Sequence, residues 1–85
     1  MEYVVVAFRS RAHTVKFSGF LTENGINNEI INTPKEAGVG CGLSVKIRKE
    51  IFLVVKTAVY RQNLSSFAGF FLVKIIAGKK IVKSI

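Results

Sequence analysis

Hydrophobic and polar residues along the first third of the chain follow a strand–helix pattern. Residues 3–8 form a short, nearly continuous apolar run that is rich in valine, which is typical of a central strand buried on both faces. Ser10 follows this run, and its hydroxyl predicts a helix N-cap. Apolar residues then recur at roughly helical spacing at Val15, Phe17, Phe20 and Leu21. Gly25 predicts the end of this helix in the left-handed conformation, with Ile26 folding back onto the last turn.

The middle of the chain predicts two strands that are separated by a glycine-rich loop. Residues 29–33 form a short strand pattern that ends at Pro34, which has no amide hydrogen to donate to a sheet ladder. Residues 35–42 contain three glycines and are predicted to form a loop. Residues 43–48 alternate between apolar and polar side chains, which predicts a strand with one face in water.

The last third of the chain contains an ambiguous segment and a hairpin pattern. Within residues 50–62, the apolar run at 51–55 alone fits a strand. A helix instead places four apolar residues on one face: Ile51, Val55, Ala58 and Val59. We favour the helix, because a chain of this size needs a second layer against its sheet. Residues 70–76 predict the last core strand, and a turn at Gly78 leads into residues 80–85 as the second strand of a closing hairpin.

The predicted order of elements is β-α-β-β-α-β with an extra C-terminal strand. This order belongs to the α+β class and matches the ferredoxin-like split βαβ plan, a two-layer sandwich in which two helices cover one face of an antiparallel sheet. The 85 residues predict a single domain over residues 1–85, because a second domain would fall well below the usual ~100–150 residues. Since this fold serves many unrelated functions, a function has to be argued from a site.

The charge of the chain is strongly positive, with 13 lysines and arginines against 5 acidic residues and a net charge of +8. Such an excess can mark a nucleic-acid partner, but here the basic residues are scattered, which favours a solvated basic surface. RNA-recognition domains share the predicted element order and read bases with aromatic side chains on their two central strands. Residues 43–48 contain no aromatic residue, and Tyr3 and Phe8 point to opposite faces by parity. A specific nucleic-acid site is therefore not expected.

Several classes of protein are disfavoured by what the sequence lacks. The longest apolar stretch, residues 67–76, contains Lys74 and is far shorter than the ~20 residues of a membrane span. One cysteine cannot form an intramolecular disulfide, so a reducing cytoplasm fits best. With one Cys, one His and no Asp, neither a metal site nor a cofactor is expected. Without a pair of candidate catalytic carboxylates or a phosphate-binding glycine motif, we expect that the protein is not an enzyme.

Cys41 is the candidate reactive group. Its neighbours Gly40 and Gly42 lack side chains that would cover the sulfur, and they allow backbone amides to turn towards it and stabilise an anion. A thiolate needs such help, because an ordinary cysteine pKa near ~8.5 leaves the thiol mostly protonated at neutral pH. Lys35, in the same loop, could add positive charge. Two alternatives stay open: a packed structural cysteine, which is how free cysteines usually behave, and a nucleophile–base pair of Cys41 with His13.

The sequence resembles a family of small bacterial domains, the Putative Se/S carrier-like family. The resemblance is carried by Phe8-Arg9-Ser10, Gly25-Ile26, Pro34-Lys35-Glu36 and Cys41-Gly42-Leu43, which are spaced as in the family over about residues 3–74. Two features depart from the family pattern. Lys35 stands where the family usually has arginine, which keeps the charge but loses the planar fork for anions. Residues 37–40 replace a linker that is usually richer in serine. In addition to these two departures, residues 78–85 extend beyond the family's core.

The resemblance implies a sulfur- or selenium-handling protein of the cytoplasm. Cys41 would hold a sulfane sulfur as a persulfide between a donor protein and an acceptor protein. Lys35 and the amides around Gly40 and Gly42 would stabilise the anionic intermediate. The alternative is a small interaction or nucleic-acid-associated module in which Cys41 is merely packed. The apolar C-terminal strand could also pair as a sheet edge in a homo-oligomer.

Overall fold

The computed structural model describes residues 1–39 and 42–85 of the chain. It contains five strands and two helices: β1 (Glu2–Phe8), α1 (Arg11–Glu23), β2 (Glu29–Asn32), β3 (Leu43–Ile47), α2 (Phe52–Gln62), β4 (Phe67–Ile76) and β5 (Lys79–Ser84). Short 3₁₀ turns occur at Lys35–Ala37 and Lys49–Ile51. The strands form one antiparallel sheet in the order β2-β3-β1-β4-β5.

The α+β class with two helices and an antiparallel sheet is confirmed. The sheet has five strands, the fifth being the extra C-terminal strand that the sequence predicts, and the assignment of the fold to the ferredoxin-like plan stays a prediction. The helical interpretation of residues 50–62 is confirmed, because α2 buries Val55, Ala58 and Val59. The predicted closing hairpin is also present, with β4 paired to β5 through a turn in which Ala77 and Gly78 both have positive φ.

The main core lies between the two helices and one face of the sheet. The strand residues in this core are Val4, Val6 and Phe8 of β1, Val45 and Ile47 of β3, and Phe70 of β4, and the helix residues are Phe17, Leu21, Val55, Ala58 and Val59. The positions on β1 alternate, so every second residue faces the helices. β1 is the centre of the sheet, and its position between β3 and β4 explains why its apolar run is nearly continuous.

The ends of α1 follow the predicted capping chemistry. The Ser10 hydroxyl accepts a hydrogen bond from the His13 amide at 3.2 Å, which confirms the N-cap. Gly25 has φ of +72°, and the Ile26 amide donates to the Leu21 carbonyl at 2.9 Å, so the chain folds back as predicted. Val15, one of the apolar residues at helical spacing, is exposed. The preceding residue, Thr14, is buried instead and lies one helical turn before Phe17.

The second face of the sheet is also covered in part. Tyr3, Val5 and Val73 are buried there, and Pro34, which follows β2, is buried as well. The 3₁₀ turn Lys35–Ala37 lies against β5, at the opposite edge of the sheet from β2. Because the helices occupy the first face, the chain after β2 crosses the second face from one edge towards the other.

This crossing overturns the expectation that β3 has one face in water. Ser44, which belongs to the second face, is completely buried. Lys46 is half-buried, and its Nζ lies 4.5 Å from the centre of the Tyr3 ring. The alternation of apolar and polar residues in β3 correctly predicts a strand, but it does not distinguish a solvated face from one covered by the loop that precedes β3.

The start of β1 carries a small ion-pair network. The Glu2 carboxylate binds Lys49 and also lies 3.5 Å from the Lys74 ammonium. The hydrogen bond from Lys49, followed by the charges of both lysines, holds the pKa of Glu2 below its ordinary value. This acidic residue is therefore already neutralised by lysines of its own chain.

Candidate functional site

The predicted site residues fall partly inside and partly outside the described chain. Cys41 and Gly40 lie outside the described residues, so the predictions for them stay predictions. Lys35 is the first residue of the 3₁₀ turn and is exposed. Gly42 is exposed and directly precedes β3. The structure therefore describes the residues that flank this segment of the sequence on either side.

The two ends of the loop over residues 33–42 are fastened together. The Thr33 amide donates to the Gly42 carbonyl at 2.9 Å, which extends the β2–β3 pairing by one step. The Thr33 and Ser44 hydroxyl oxygens are 2.7 Å apart and hydrogen-bonded. This second contact satisfies the buried hydroxyl of Ser44, which would otherwise cost free energy. The residue that follows Cys41 in the sequence is thus held in a fixed place at the end of the sheet.

The first turn of α1 lies against the same end of the sheet. The Thr14 hydroxyl shares its hydrogen between the carbonyls of Ser10 at 3.1 Å and Leu43 at 3.3 Å. This contact ties the N-terminus of α1 to the start of β3. The amides of a helix N-terminus carry a partial positive charge, and the first turn of α1 contains no acidic residue to offset it. The first turn of α1 therefore brings partial positive charge to the end of the sheet where β3 starts.

His13 has a partner other than the predicted one. Its Nδ1 lies 2.6 Å from the Ser66 hydroxyl oxygen in the connection between α2 and β4. The Ser66 carbonyl also accepts a hydrogen bond from the Arg9 amide at 2.8 Å. One ring nitrogen of His13 is therefore engaged in a contact within the described chain, and the pairing with Cys41 stays a prediction.

Sequence reasoning missed the hydroxyl groups of this region. Thr14, Thr33, Ser44 and Ser66 all contribute hydrogen bonds at this end of the sheet. Only Thr14 left a usable signal, because it precedes the buried Phe17 and Leu21 at helical spacing. The other contacts join residues that no local pattern relates.

The glycines of the loop differ in what the backbone requires of them. Gly38 has φ of +66° and ends the 3₁₀ turn, where its amide donates to the Lys35 carbonyl at 3.1 Å. Gly42 lies outside the left-handed region, and a Cβ atom built there would meet nothing within 4 Å. Only the first of these two positions needs glycine for its backbone conformation.

We expect Gly38→Ala to destabilise the protein by about 1 kcal/mol, because an L side chain is strained at this positive φ. Gly42→Ala is the matched control and should change the free energy of unfolding by less than about 0.5 kcal/mol. Urea denaturation followed by circular dichroism measures both values. Equal losses for the two variants would contradict the difference in backbone conformation.

A pocket of ≈ 370 Å³ lies at the other end of the sheet and is lined in part by Tyr3, Glu29, Lys46 and Arg48. These residues come from the start of β1 and β2 and from the end of β3. Because the strands are antiparallel, this pocket lies at the opposite end of the sheet from Gly42 and the start of β3.

The part of the chain that the structure describes contains neither a metal-binding cluster nor a membrane-spanning helix. No group of three or more His, Cys, Asp or Glu side chains there could hold a metal ion. No helix among the same residues is long and apolar enough to span a membrane.

Comparison with known proteins gives one match. The family model described as "Putative Se/S carrier protein-like" matches residues 3–66, which include the cysteine-bearing loop and end directly before β4. The matched segment is shorter than the resemblance expected from the sequence, which extended to about residue 74. No curated protein and no solved structure matches the chain.

Proposed function

Because the chain belongs to the Putative Se/S carrier protein-like family, we propose that it carries sulfur or selenium between proteins on the thiol of Cys41. The observation that carries this proposal is the family match, which spans the segment holding the chain's single cysteine. The proposed protein is a carrier and not an enzyme, and its partners are a donor and an acceptor of the transferred atom.

The proposed loading step is a thiol–persulfide exchange. The Cys41 thiolate attacks the outer sulfur of a donor persulfide, R–S–SH. A new S–S bond forms at Cys41, the S–S bond of the donor breaks, and the donor leaves as the thiolate R–S⁻. The hydrogen stays on the transferred sulfur and the charge is unchanged, so no external oxidant or reductant is needed. Unloading is the same exchange with an acceptor thiolate, which is compatible with a reducing cytoplasm.

The groups around the loop over residues 33–42 favour the anionic form of a thiol. The first turn of α1 places partial positive charge at the end of the sheet where β3 starts. Lys35 is the proposed cation of the loop, although its 3₁₀ turn lies against β5 and also contains Glu36, and the amides around Gly40 and Gly42 are the proposed contacts of the sulfur. Helix N-termini and nearby cations are the environments that lower a cysteine pKa. These groups would stabilise both the attacking thiolate and the persulfide anion.

The test is the reactivity of Cys41 in the folded protein. The rate of alkylation should rise with pH about a midpoint well below ~8.5. After incubation with a low-molecular-weight persulfide donor, intact mass spectrometry should show the addition of one sulfur atom, which a thiol reductant removes. The control is the same protein unfolded in urea, where the midpoint should return to the ordinary value.

The contrary outcome identifies the competing class of function. A thiol that reacts only after unfolding, and takes up no sulfur, would show that Cys41 is packed in the core. The exposed apolar side chains of α2, Leu53, Val54 and Tyr60, would then favour the interaction module as the function of the chain.

A further inference from the structure

One side of the β4–β5 hairpin forms an exposed surface of alternating apolar and basic residues. We call it the hairpin shelf, and it consists of Lys74, Ile76, Lys79, Ile81 and Lys83. In the β4–β5 register, Lys74 pairs with Ile81 and Ile76 pairs with Lys79. Cross-strand partners point to the same face, and alternation along β4 places these residues on the face of Phe70, which is buried under α2. The shelf is therefore the lateral continuation of the face that the helices cover.

The two helices do not reach the hairpin shelf. α1 packs against β1, β2 and β3. α2 packs against β4, where the rings of Phe52 and Phe70 are 5.1 Å apart and perpendicular. β5 lies one strand further out, at the edge of the sheet. As a result, Ile76 is 58% and Ile81 is 49% exposed.

The shape of the shelf is a step beside α2. A helix stands about 10 Å above the sheet it covers, whereas the neighbouring β5 surface has nothing of that height above it in the described part of the chain. The shelf is as wide as one exposed strand and half of its neighbour, at about 4.8 Å per strand. This width fits the contact face of one additional helix. Such a helix would lie along α2 and bury both isoleucines.

The charged residues of the shelf and of the adjacent α2 flank are all lysines. Lys79 and Lys83 are exposed on the shelf. Lys56 extends from the α2 flank that carries Phe52, with its Nζ 5.8 Å from the centre of that ring. The acidic residue near the shelf is Glu2, whose carboxylate is already paired with Lys49 and Lys74. A ligand with carboxylates on either side of an apolar stripe would complement this pattern.

Lysines on an edge strand have an ordinary role, which is to prevent pairing between sheet edges. That role explains Lys79, Lys80 and Lys83, but it gives no reason for the two isoleucines between them. Apolar side chains gain stability when they are removed from water, and a purely protective surface would carry polar residues at these positions. The alternation of both residue types is typical of a contact surface with an apolar centre and a charged rim.

We propose that the hairpin shelf binds an acidic amphipathic helix of a partner protein, which packs beside α2 as a third helix on the sheet. Its apolar stripe covers Ile76 and Ile81, and its carboxylates pair with Lys79, Lys83 and Lys56. This inference does not rest on the proposed sulfur chemistry, since it involves neither Cys41 nor its loop.

Charge and shape disfavour the other occupants. A second copy of the chain would bring like charges together, because every copy carries the same net charge of +8. Nucleic acid would satisfy the lysines, but single strands are bound by stacking on flat rings, and the shelf residues contain no aromatic side chain. A flat bilayer would contact α2, which stands above the sheet, before it reached Ile76 and Ile81.

The experiment uses a synthetic amphipathic peptide of about 18 residues, or five helical turns, with leucine on one face, glutamate on the other and a fluorescent label. Fluorescence anisotropy measures its binding to the full chain. We expect Ile81→Ser and Lys79→Glu each to raise Kd by about tenfold or more. Amide chemical-shift changes on binding should concentrate on β5 and the adjacent flank of α2.

Two matched variants control for net charge and for loss of an exposed isoleucine. Lys80→Glu reverses a charge in the same strand but on the opposite face, and Ile30→Ser removes an exposed isoleucine from the other edge strand. Each should change Kd by less than about threefold. Equal losses from Lys80→Glu would overturn the proposal in favour of non-specific charge attraction.

Three further results would also overturn the proposal. The first is no peptide binding at about 1 mM, because the proposal assigns recognition to charge and apolarity rather than to one particular sequence. The second is tighter binding, with the same dependence on Ile81, to oligouridylate or to vesicles of phosphatidylcholine and phosphatidylglycerol. The third is equal binding of a peptide in which lysine replaces every glutamate. A persulfide that fails to form on Cys41 would leave all of these results unchanged, so the two proposals fail separately.

Discussion

Replacing Phe8 by alanine should destabilise the protein by about 3–5 kcal/mol, because the truncation leaves a cavity that the surrounding core cannot fully close. Phe8 is completely buried. Its ring centre lies 5.4 Å from that of Phe17 on α1 and 5.9 Å from that of Phe67 on β4. The side chain therefore joins the first helix to the sheet at the end where the cysteine-bearing loop is anchored.

The expected loss is a large part of the ~5–15 kcal/mol that stabilises a typical domain. Urea denaturation followed by circular dichroism gives the free energy of unfolding for each variant. Tyr60→Ala is the matched control, because this aromatic side chain is 63% exposed, and it should change stability by less than about 0.5 kcal/mol. A similar small change for both variants would mean that Phe8 is not a core residue.

Much of the secondary structure was predictable because its signals are local. The apolar run of β1, the Ser10 cap and the Gly25 stop each depend on residues within a few positions of one another. α2 was identified from the spacing of apolar side chains over residues 51–59, more than two helical turns, together with the need for a second layer. The failure at Ser44 has a different origin, since burial is decided by which distant segment packs against a side chain.

The candidate site was predictable only as a position in the sequence. Cys41 and Lys35 could be singled out from residue type and from the family resemblance. The frame around them could not, because the His13–Ser66 contact joins residues 53 positions apart and the Thr14–Leu43 contact joins residues 29 positions apart. Such contacts arise from the packing of α1 and the α2–β4 connection at one end of the sheet, which no local pattern encodes.

Replacing Cys41 by serine should abolish sulfur loading completely. A serine hydroxyl cannot form the S–S bond that holds the transferred atom, and the chain has no other cysteine. Intact mass spectrometry after exposure to a persulfide donor should show no added sulfur. The free energy of unfolding should change by less than about 1 kcal/mol, which separates a carrying residue from a structural one.

Loss of loading alone would not show that the surroundings of Cys41 matter, because any exposed thiol exchanges with persulfides to some extent. The double variant Cys41→Ser/Thr57→Cys places the one thiol on the exposed surface of α2, outside the loop over residues 33–42. If the loop, Lys35 and the first turn of α1 activate the cysteine, this variant should load at least about tenfold more slowly than the parent at neutral pH. Equal rates would show that the fold contributes nothing to the reaction. A slower rate, with an alkylation midpoint shifted up towards ~8.5, would assign the activation to the frame that surrounds residues 33–42.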